Sequence, residues 1–193
     1  MQLTIDLTSE QSMKTACENA FPDDTIDLVI VASGVLHADG IKPEKTWRRL
    51  NAETMMQVFA VNTIGPAVIA RYLLDRMEKQ SKSVFAALSA RVGSISDNGL
   101  GGWHSYRASK AALNMLIRNF AIELKHRNPG AFAIGLHPGT VDTPLSEPFQ
   151  PNVPRKQLFT ADVSADHLLK VIDTLAPDAS GNLFAWDGAI INS

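Results

Sequence analysis

Tyr106 and Lys110 stand four residues apart in the run Ser105-Tyr106-Arg107-Ala108-Ser109-Lys110-Ala111-Ala112-Leu113-Asn114. On a helix, residues at i and i+4 share a face. An ammonium beside a phenol favours the phenolate and lowers the tyrosine pKa from its unperturbed value of about 10. A phenol tuned in this way can act as a general acid or base near neutrality. By itself the spacing carries little weight, because most Tyr-x-x-x-Lys pairs are solvated surface groups.

The surroundings add weight. The pair opens a helix directly after an apolar strand and a loop rich in Ser and Gly, residues 89–102. In open α/β sheets, ligands bind in the crevice beyond the carboxyl ends of the strands. Two more strand ends have the same small, hydroxyl-bearing character: Ala32-Ser33-Gly34 and His137-Pro138-Gly139-Thr140-Val141-Asp142-Thr143. The pattern brings all three to one crevice.

The elements that must position these residues follow from hydrophobic period and punctuation. Residues 2–6 read as a short strand, and residues 9–21 as a helix capped by Thr8 or Ser9 and stopped by Pro22. Residues 27–32, 83–88 and 131–136 are continuous apolar runs, expected as strands buried on both faces. Residues 46–50 suggest a helical turn, and 51–79 a long helix kinked at Gly65-Pro66. A strong helix is expected over 103–127 and another, capped by Ser164, over 164–175. Residues 143–160 hold four prolines and read as an irregular lid; 182–186 reads as a last short strand. Strands alternating with helices predict an α/β fold of Rossmann type, a parallel sheet with helices on both faces. With no internal repeat and no linker, residues 1–193 are expected to form a single domain.

Composition excludes other classes. The chain has 193 residues, 45% of them apolar and 20% charged, with a net charge of −2, so no basic field invites nucleic acid. One cysteine, Cys17, rules out an internal disulfide framework and favours a reducing compartment. No run approaches the roughly 18 unbroken apolar residues of a membrane span, and residues 1–11 lack the features of a signal peptide. A cytoplasmic domain is expected. His37, His104 and His137 form no pair with metal-ligand spacing, so no metal is expected. The methionines read as core filler.

Taken together, Asp6-Leu7, Val31-Ala32-Ser33-Gly34, Asn62, the 89–94 loop, the Tyr106/Lys110 pair and Pro138-Gly139-Thr140-Val141-Asp142-Thr143 resemble the short-chain dehydrogenase/reductase family. The run Ser89-Ala90-Arg91-Val92-Gly93-Ser94-Ile95, followed by Gly101-Gly102-Trp103, is similar to its C-factor/sniffer-type branch. The resemblance implies NAD(P)-dependent interconversion of a carbonyl and an alcohol on a small-molecule substrate. A non-catalytic signalling or interaction protein on the same scaffold is the alternative. Tyr106 would exchange the proton with the substrate oxygen, Lys110 would lower its pKa and bind the nicotinamide ribose, and Asn62 would hold a water relay behind Lys110. A serine of the preceding loop would bond the substrate oxygen. Aligning Gly93 with the family's glycine puts Ala90 at the serine position; Ser89 is favoured, because a loop shift could restore it there, and Ser94 is the other candidate. Asp6 and Leu7 would lie near the adenine, Ser33 and Gly34 beneath the cofactor, and Pro138, Gly139, Val141 and Thr143 around the nicotinamide. The family's Asn-Asn-Ala-Gly is replaced by Val31-Ala32-Ser33-Gly34. A homodimer through the 51–79 and 103–127 helices is also implied, with Val68, Tyr72, Met115 and Phe120 as surplus apolar residues.

One feature of the family is missing. None of the twelve glycines forms a Gly-x-x-x-Gly-x-Gly or Gly-x-Gly-x-x-Gly turn, so the pyrophosphate cradle is absent from these residues. The resemblance places the first residues just before the family's third strand, with about 50 residues of βαβ structure lacking at about 30 per unit. Either the start is misplaced or these residues are a fragment of an ordinary reductase, or the short form is real and has lost dinucleotide affinity. On this reading the chain as given shows no turnover with NADH or NADPH. The choice between NAD and NADP would be made in the lacking part.

Overall fold

The structure, a computed structural model, describes residues 1–21 and 25–192. Its centre is a five-stranded sheet in the order β1-β2-β3-β6-β7. These are β1 (Leu28–Val31), β2 (Ser83–Leu88), β3 (Ala131–His137), β6 (Leu183–Ala185) and β7 (Ile190–Ile191). The first four run parallel, and β7 folds back antiparallel on β6. A separate two-stranded parallel ribbon joins β4 (Thr140–Val141) to β5 (Leu158–Phe159).

Side chains alternate across each strand, so each run feeds two layers. One face carries Val29, Val31, Phe85, Ala87, Ala131 and Ala133. It packs on α1 (Glu10–Ala20), α3 (Gly65–Leu73) and α4 (His104–Arg127), through Met13, Ile69, Leu113 and Ile117. The other face carries Val84, Ala86, Phe132, Ile134, Leu136 and Phe184, covered by Leu168, Val171 and Ile172 of α5 (Ala161–Thr174). Burying each large side chain of this kind contributes about 1.5–3 kcal/mol. The expected α/β sheet with helices on both faces is therefore present.

Several local expectations are corrected. Residues 2–6 form no strand; Leu3 and Ile5 are exposed. The 27–32 run is not buried on both faces. Leu28 and Ile30 are each 40% exposed, because β1 is the edge of the sheet and α5 covers only the strands further in. The helix at 10–20 is capped by Ser9, whose side chain accepts from the Ser12 N–H; the stop expected at Pro22 lies outside the described residues. The helix at 161–174 begins three residues earlier than expected, with Thr160 as its cap. Ser164 instead donates its hydroxyl to the Pro138 carbonyl at 3.0 Å. The β7 strand was not legible in the sequence.

The long helix breaks before its Gly-Pro pair. It runs as α2 (Ala52–Phe59), one π-helical turn (Ala60–Ile64) and α3. Pro66 lies where the π turn passes without interruption into α3, and it has no N–H to give to that run. Taken as one element, residues 52–76 are long and apolar enough to cross a membrane by length and composition alone, yet much of the apolar stretch is buried inside the fold. The π turn carries Asn62 and Thr63, both buried.

Candidate active site

Four segments converge at the carboxyl ends of β1 and β2. Lys110 lies on α4 one turn beyond Tyr106, and both are buried. The Lys110 Nζ donates to the Leu88 carbonyl at the end of β2, at 2.7 Å. It lies 5.8 Å from the centre of the Tyr106 ring. Two contacts fix α4 against the π turn. The Asn62 Nδ2 donates to Ser109 Oγ at 3.1 Å, and the Thr63 hydroxyl donates to the Ser109 carbonyl at 2.8 Å. The same Asn62 amide brackets Val35, accepting its N–H at 2.8 Å and donating to its carbonyl at 2.9 Å. Asn62 is thus a brace between the loop after β1 and α4, and an extra π-helical residue is what aims it there.

Gly93 permits this packing, whereas at Gly34 a Cβ would meet only ordinary contacts. A Cβ on Gly93 would fall 2.7 Å from the Lys110 Cβ, and one on Gly34 would lie 3.5 Å from the Lys110 Nζ. Gly93 therefore serves the approach of the Arg91–Gly93 turn to α4.

Electrostatics departs from the sequence expectation. Burial pushes the Tyr106 phenol up to about 12 and the Lys110 ammonium down to about 8. The lysine does not lower the tyrosine here. Its Nζ points to Leu88, and the apolar surroundings penalise both charged forms.

The serine candidates separate. Ser89 donates its hydroxyl to Asn114 Oδ1 at 2.6 Å, two helical turns beyond Tyr106, and is fully buried there. Ser94 donates to the Asn192 carbonyl and accepts the Asp97 N–H at 3.1 Å. The residue that shares a buried cluster with Tyr106 is Ala90, together with Leu36 and the flanking Val92, Trp103, Leu145 and Phe149.

The other predicted residues are distributed around this point. Ser33 and Gly34 follow β1, and the Ser33 Oγ is buried with no hydrogen-bond partner. Pro138, Gly139, Val141 and Thr143 lie beyond β3. Gly139 is left-handed (φ 75°) and packs under Phe159 and Trp186. The Val141 carbonyl accepts the Ser146 hydroxyl, and Thr143 Oγ1 reaches it at 3.4 Å. Asp6 caps a local turn, accepting the Thr8 N–H and hydroxyl at 2.8 and 2.7 Å. Leu7 packs against Gly65, at the start of α3.

Sequence reasoning missed Glu44 and Trp103. Glu44 is buried, and its carboxylate accepts both the N–H and the hydroxyl of Ser105. Burial would raise this carboxyl, but the hydrogen bonds from Ser105 outweigh it and hold it below its usual value. Trp103 is the cap of α4 in a left-handed conformation, φ 50°. The only hint in the sequence was Gly101-Gly102 before it. Among the described residues no group of three or more His, Cys, Asp or Glu could hold a metal.

The model of the family described as short chain dehydrogenase matches residues 1–154. The chain is 30% identical over 188 residues to 1-hydroxy-2-glutathionyl-2-methyl-3-butene dehydrogenase of Rhodococcus sp. strain AD45, covering 97% of this chain and 77% of that protein. It is 34% identical over 134 residues to C-signal of Myxococcus xanthus, covering 69% and 75% respectively. Among solved structures it is similar to the NADPH-bound carbonyl reductase from chicken fatty liver, with a TM-score of 0.84, 27% identity and coverage of 99% and 76%. The carbonyl reductase Sniffer of D. melanogaster shares the fold, with a TM-score of 0.83 at 20% identity and coverage of 99% and 77%. The chain belongs to the short-chain dehydrogenase family, and its sheet and covering helices share the fold of an oxidoreductase.

Proposed function

We propose that the protein interconverts a small-molecule carbonyl and an alcohol with NAD(P), using Tyr106 as the proton donor and acceptor. The observation that carries this reading is the buried Tyr106–Lys110 pair at the carboxyl ends of β1 and β2, braced by Asn62. A phenol pushed up to about 12 stays protonated at neutral pH. Tyr106 is therefore poised to give a proton to a developing alkoxide.

The residues present fit the nicotinamide side of such a cofactor. Lys110 is a buried cation that spends one N–H on Leu88, leaving donors for a ribose diol. Ser33 offers an unpaired buried hydroxyl beside Gly34, where the missing Cβ leaves room for a close approach. Pro138, Gly139, Val141 and Thr143 form the adjoining wall, and Asp6 and Leu7 are assigned to the adenine side. When bound, the cofactor supplies or accepts the hydride. The chain's own residues orient the carbonyl, exclude water and move the proton at the Tyr106 oxygen. A C-signal-like interaction role is less favoured, because it gives no reason to bury a lysine beside a tyrosine.

Residues 1–193 are read as one domain acting in the cytoplasm, and as half of a homodimer. Val68, Tyr72 and Phe120 pack partly on the core, so they are not the surplus. Met56, Ile64, Met115 and Ile122 are 50–65% exposed on the helices and take that role. Titrating the chain with NADPH and NADH by calorimetry, then assaying aldehydes and ketones, tests the function. Because these residues lack a glycine-rich pyrophosphate turn, the assays use saturating cofactor; turnover that Tyr106→Phe abolishes supports the reading and overturns the expectation of no turnover. Turnover unchanged in Tyr106→Phe refutes the role of Tyr106.

A further inference from the structure

α4 opens on a residue that cannot cap it. The first N–H groups of a helix have no partner within it, and a side-chain oxygen at the cap ordinarily takes one of them. Here the cap is Trp103, whose indole has only a donor. It is also left-handed at φ 50°, a genuine outlier for a bulky residue, and follows Gly101 and Gly102 at φ 64° and 67°. Glu44, 61 residues before Ser105, supplies what is missing. Its backbone carbonyl accepts the Trp103 N–H, and its carboxylate accepts the Ser105 N–H at 3.2 Å together with the Ser105 hydroxyl. The helix dipole also favours an anion at this end.

Tyr106 is the next residue along. α4 is thus tied down on both sides of the phenol's turn: at Ser105 by Glu44, and at Ser109 by Asn62 and Thr63. The two ties divide the catalytic pair. Asn62 and Thr63 hold the lysine end, one residue before Lys110, and Glu44 holds the phenol end. Without the Glu44 side chain, the Ser105 N–H and hydroxyl would be buried with no partner, which costs more than an ordinary lost hydrogen bond. The first turn would open instead. Water would then reach a phenol that now packs with Leu36, Ala90 and the Trp103 ring, the last at 6.4 Å and edge-on. The Lys110 Nζ, 5.8 Å from the phenol ring, would keep its bond to Leu88.

We propose that Glu44 is a positioning residue, whose carboxylate caps α4 from across the fold and fixes the place of the Tyr106 hydroxyl. The inference deepens the reading of Tyr106 as proton donor and rests on it. The chain has two tyrosines, Tyr72 and Tyr106, so 3-fluorotyrosine labelling gives two fluorine NMR signals, and Tyr106→Phe assigns them. Amide hydrogen exchange on the same variants reads each turn of α4. In Glu44→Ala, exchange at residues 105–108 should quicken about tenfold or more, since bonds to a charged acceptor are lost, while residues 113–124 keep their protection. The Tyr106 signal should shift, and the proton affinity of its phenol, now raised by burial, should drop about tenfold as water replaces apolar contacts. Glu44→Gln keeps an oxygen for Ser105 and should restore most of both. Leu168→Ala opens the core on the opposite face of the sheet; it should lower the melting temperature and leave the Tyr106 signal in place. If Glu44→Ala does not fold, Ser105→Ala, which removes the hydroxyl contact alone, decides by the same two readouts. An unmoved Tyr106 signal with unchanged exchange at 105–108, a Glu44→Gln chain as perturbed as Glu44→Ala, or an equal Tyr106 shift in Leu168→Ala would each overturn the proposal. Turnover at saturating cofactor separates the two ideas. Turnover that survives Tyr106→Phe, beside a Tyr106 signal that moves in Glu44→Ala, sinks the role of Tyr106 and keeps the cap. Turnover that Tyr106→Phe abolishes, beside an unmoved signal, sinks the cap alone.

Discussion

Lys110 should be a stability burden that the fold carries for the sake of the site. Its side chain is buried, and burial pushes its pKa from the ordinary 10.5 down to about 8. At about 1.36 kcal/mol per pKa unit, the charged form is disfavoured in the native state by about 3 kcal/mol. The sign follows from proton counts. Below pH 8 the lysine is protonated both folded and unfolded, and the full penalty acts. Between pH 8 and 10 the native lysine is neutral while the unfolded one is charged, so native stability rises with pH. Above pH 10 the trend reverses, because Tyr106, pushed up to about 12, keeps its proton only in the folded state. Lys110→Met fills the same space without the charge and gives up one hydrogen bond to Leu88, a loss of about 1 kcal/mol. The variant should therefore be about 2 kcal/mol more stable than the native chain at pH 7 in urea titrations, should lose most of that advantage by pH 10, and should have no turnover. A Lys110→Met chain that is less stable at pH 7, or whose advantage does not shrink as the pH rises, would refute the argument.

Burial, aided by the nearby Arg91 charge, holds His137 down to about 4, against 6.5 when unfolded. Native stability should therefore be intact above pH 6.5 and fall by up to about 3 kcal/mol as the pH drops to 4. His137→Gln should lack that share of the acid loss in urea titrations at both ends of the window. Ala90→Ser places a hydroxyl beside Tyr106 and should raise turnover by about tenfold or more, since one well-placed donor to a developing oxyanion is worth about 10²–10³. Ser89→Ala should leave turnover within about threefold while costing about 1–3 kcal/mol of stability, because Asn114 loses its buried partner. Met115→Glu puts a charge at a 61% exposed apolar position and should leave a monomer at micromolar concentration by sedimentation; an unchanged dimer would argue against the α4 interface.

How much of this was legible in the sequence depended on whether the signal was local. The strands at 83–88 and 131–136 and the helix at 103–127 were readable to within a residue, because their apolar runs are long and bounded by Gly, Pro and Asn. Residues 2–6 alternate as a strand does, but a strand needs a neighbour, and none of the described strands pairs with them. The 27–32 run reads as doubly buried in composition, yet burial of its second face depends on how far α5 extends, which no local pattern records. Gly65-Pro66 was the obvious kink, while the helix changes pitch earlier, where Asn62 and Thr63 satisfy partners on α4.

The site shows the same division in sharper form. Tyr106 and Lys110 were found because one turn of helix fixes their relation, whatever surrounds them. Ser89 was chosen over Ala90 on the premise that a loop shift could bring a hydroxyl to the phenol. The ladder excludes that shift: the Ser89 N–H is bonded to the Leu136 carbonyl at 2.8 Å, which locks the register of β2 on β3 and turns the hydroxyl toward Asn114. A one-residue slip in a strand exchanges its faces, so the residue after Ser89 must look the other way, toward Leu36 and Tyr106. Glu44 was invisible for the opposite reason. A glutamate between Pro43 and Lys45 has every local mark of a solvated loop, and its burial arises only once α4 brings Ser105 against it across 61 residues of chain. Side chains that do chemistry through a helical spacing can be read from the sequence; those that hold the helix in place are found only when the tertiary contacts are known.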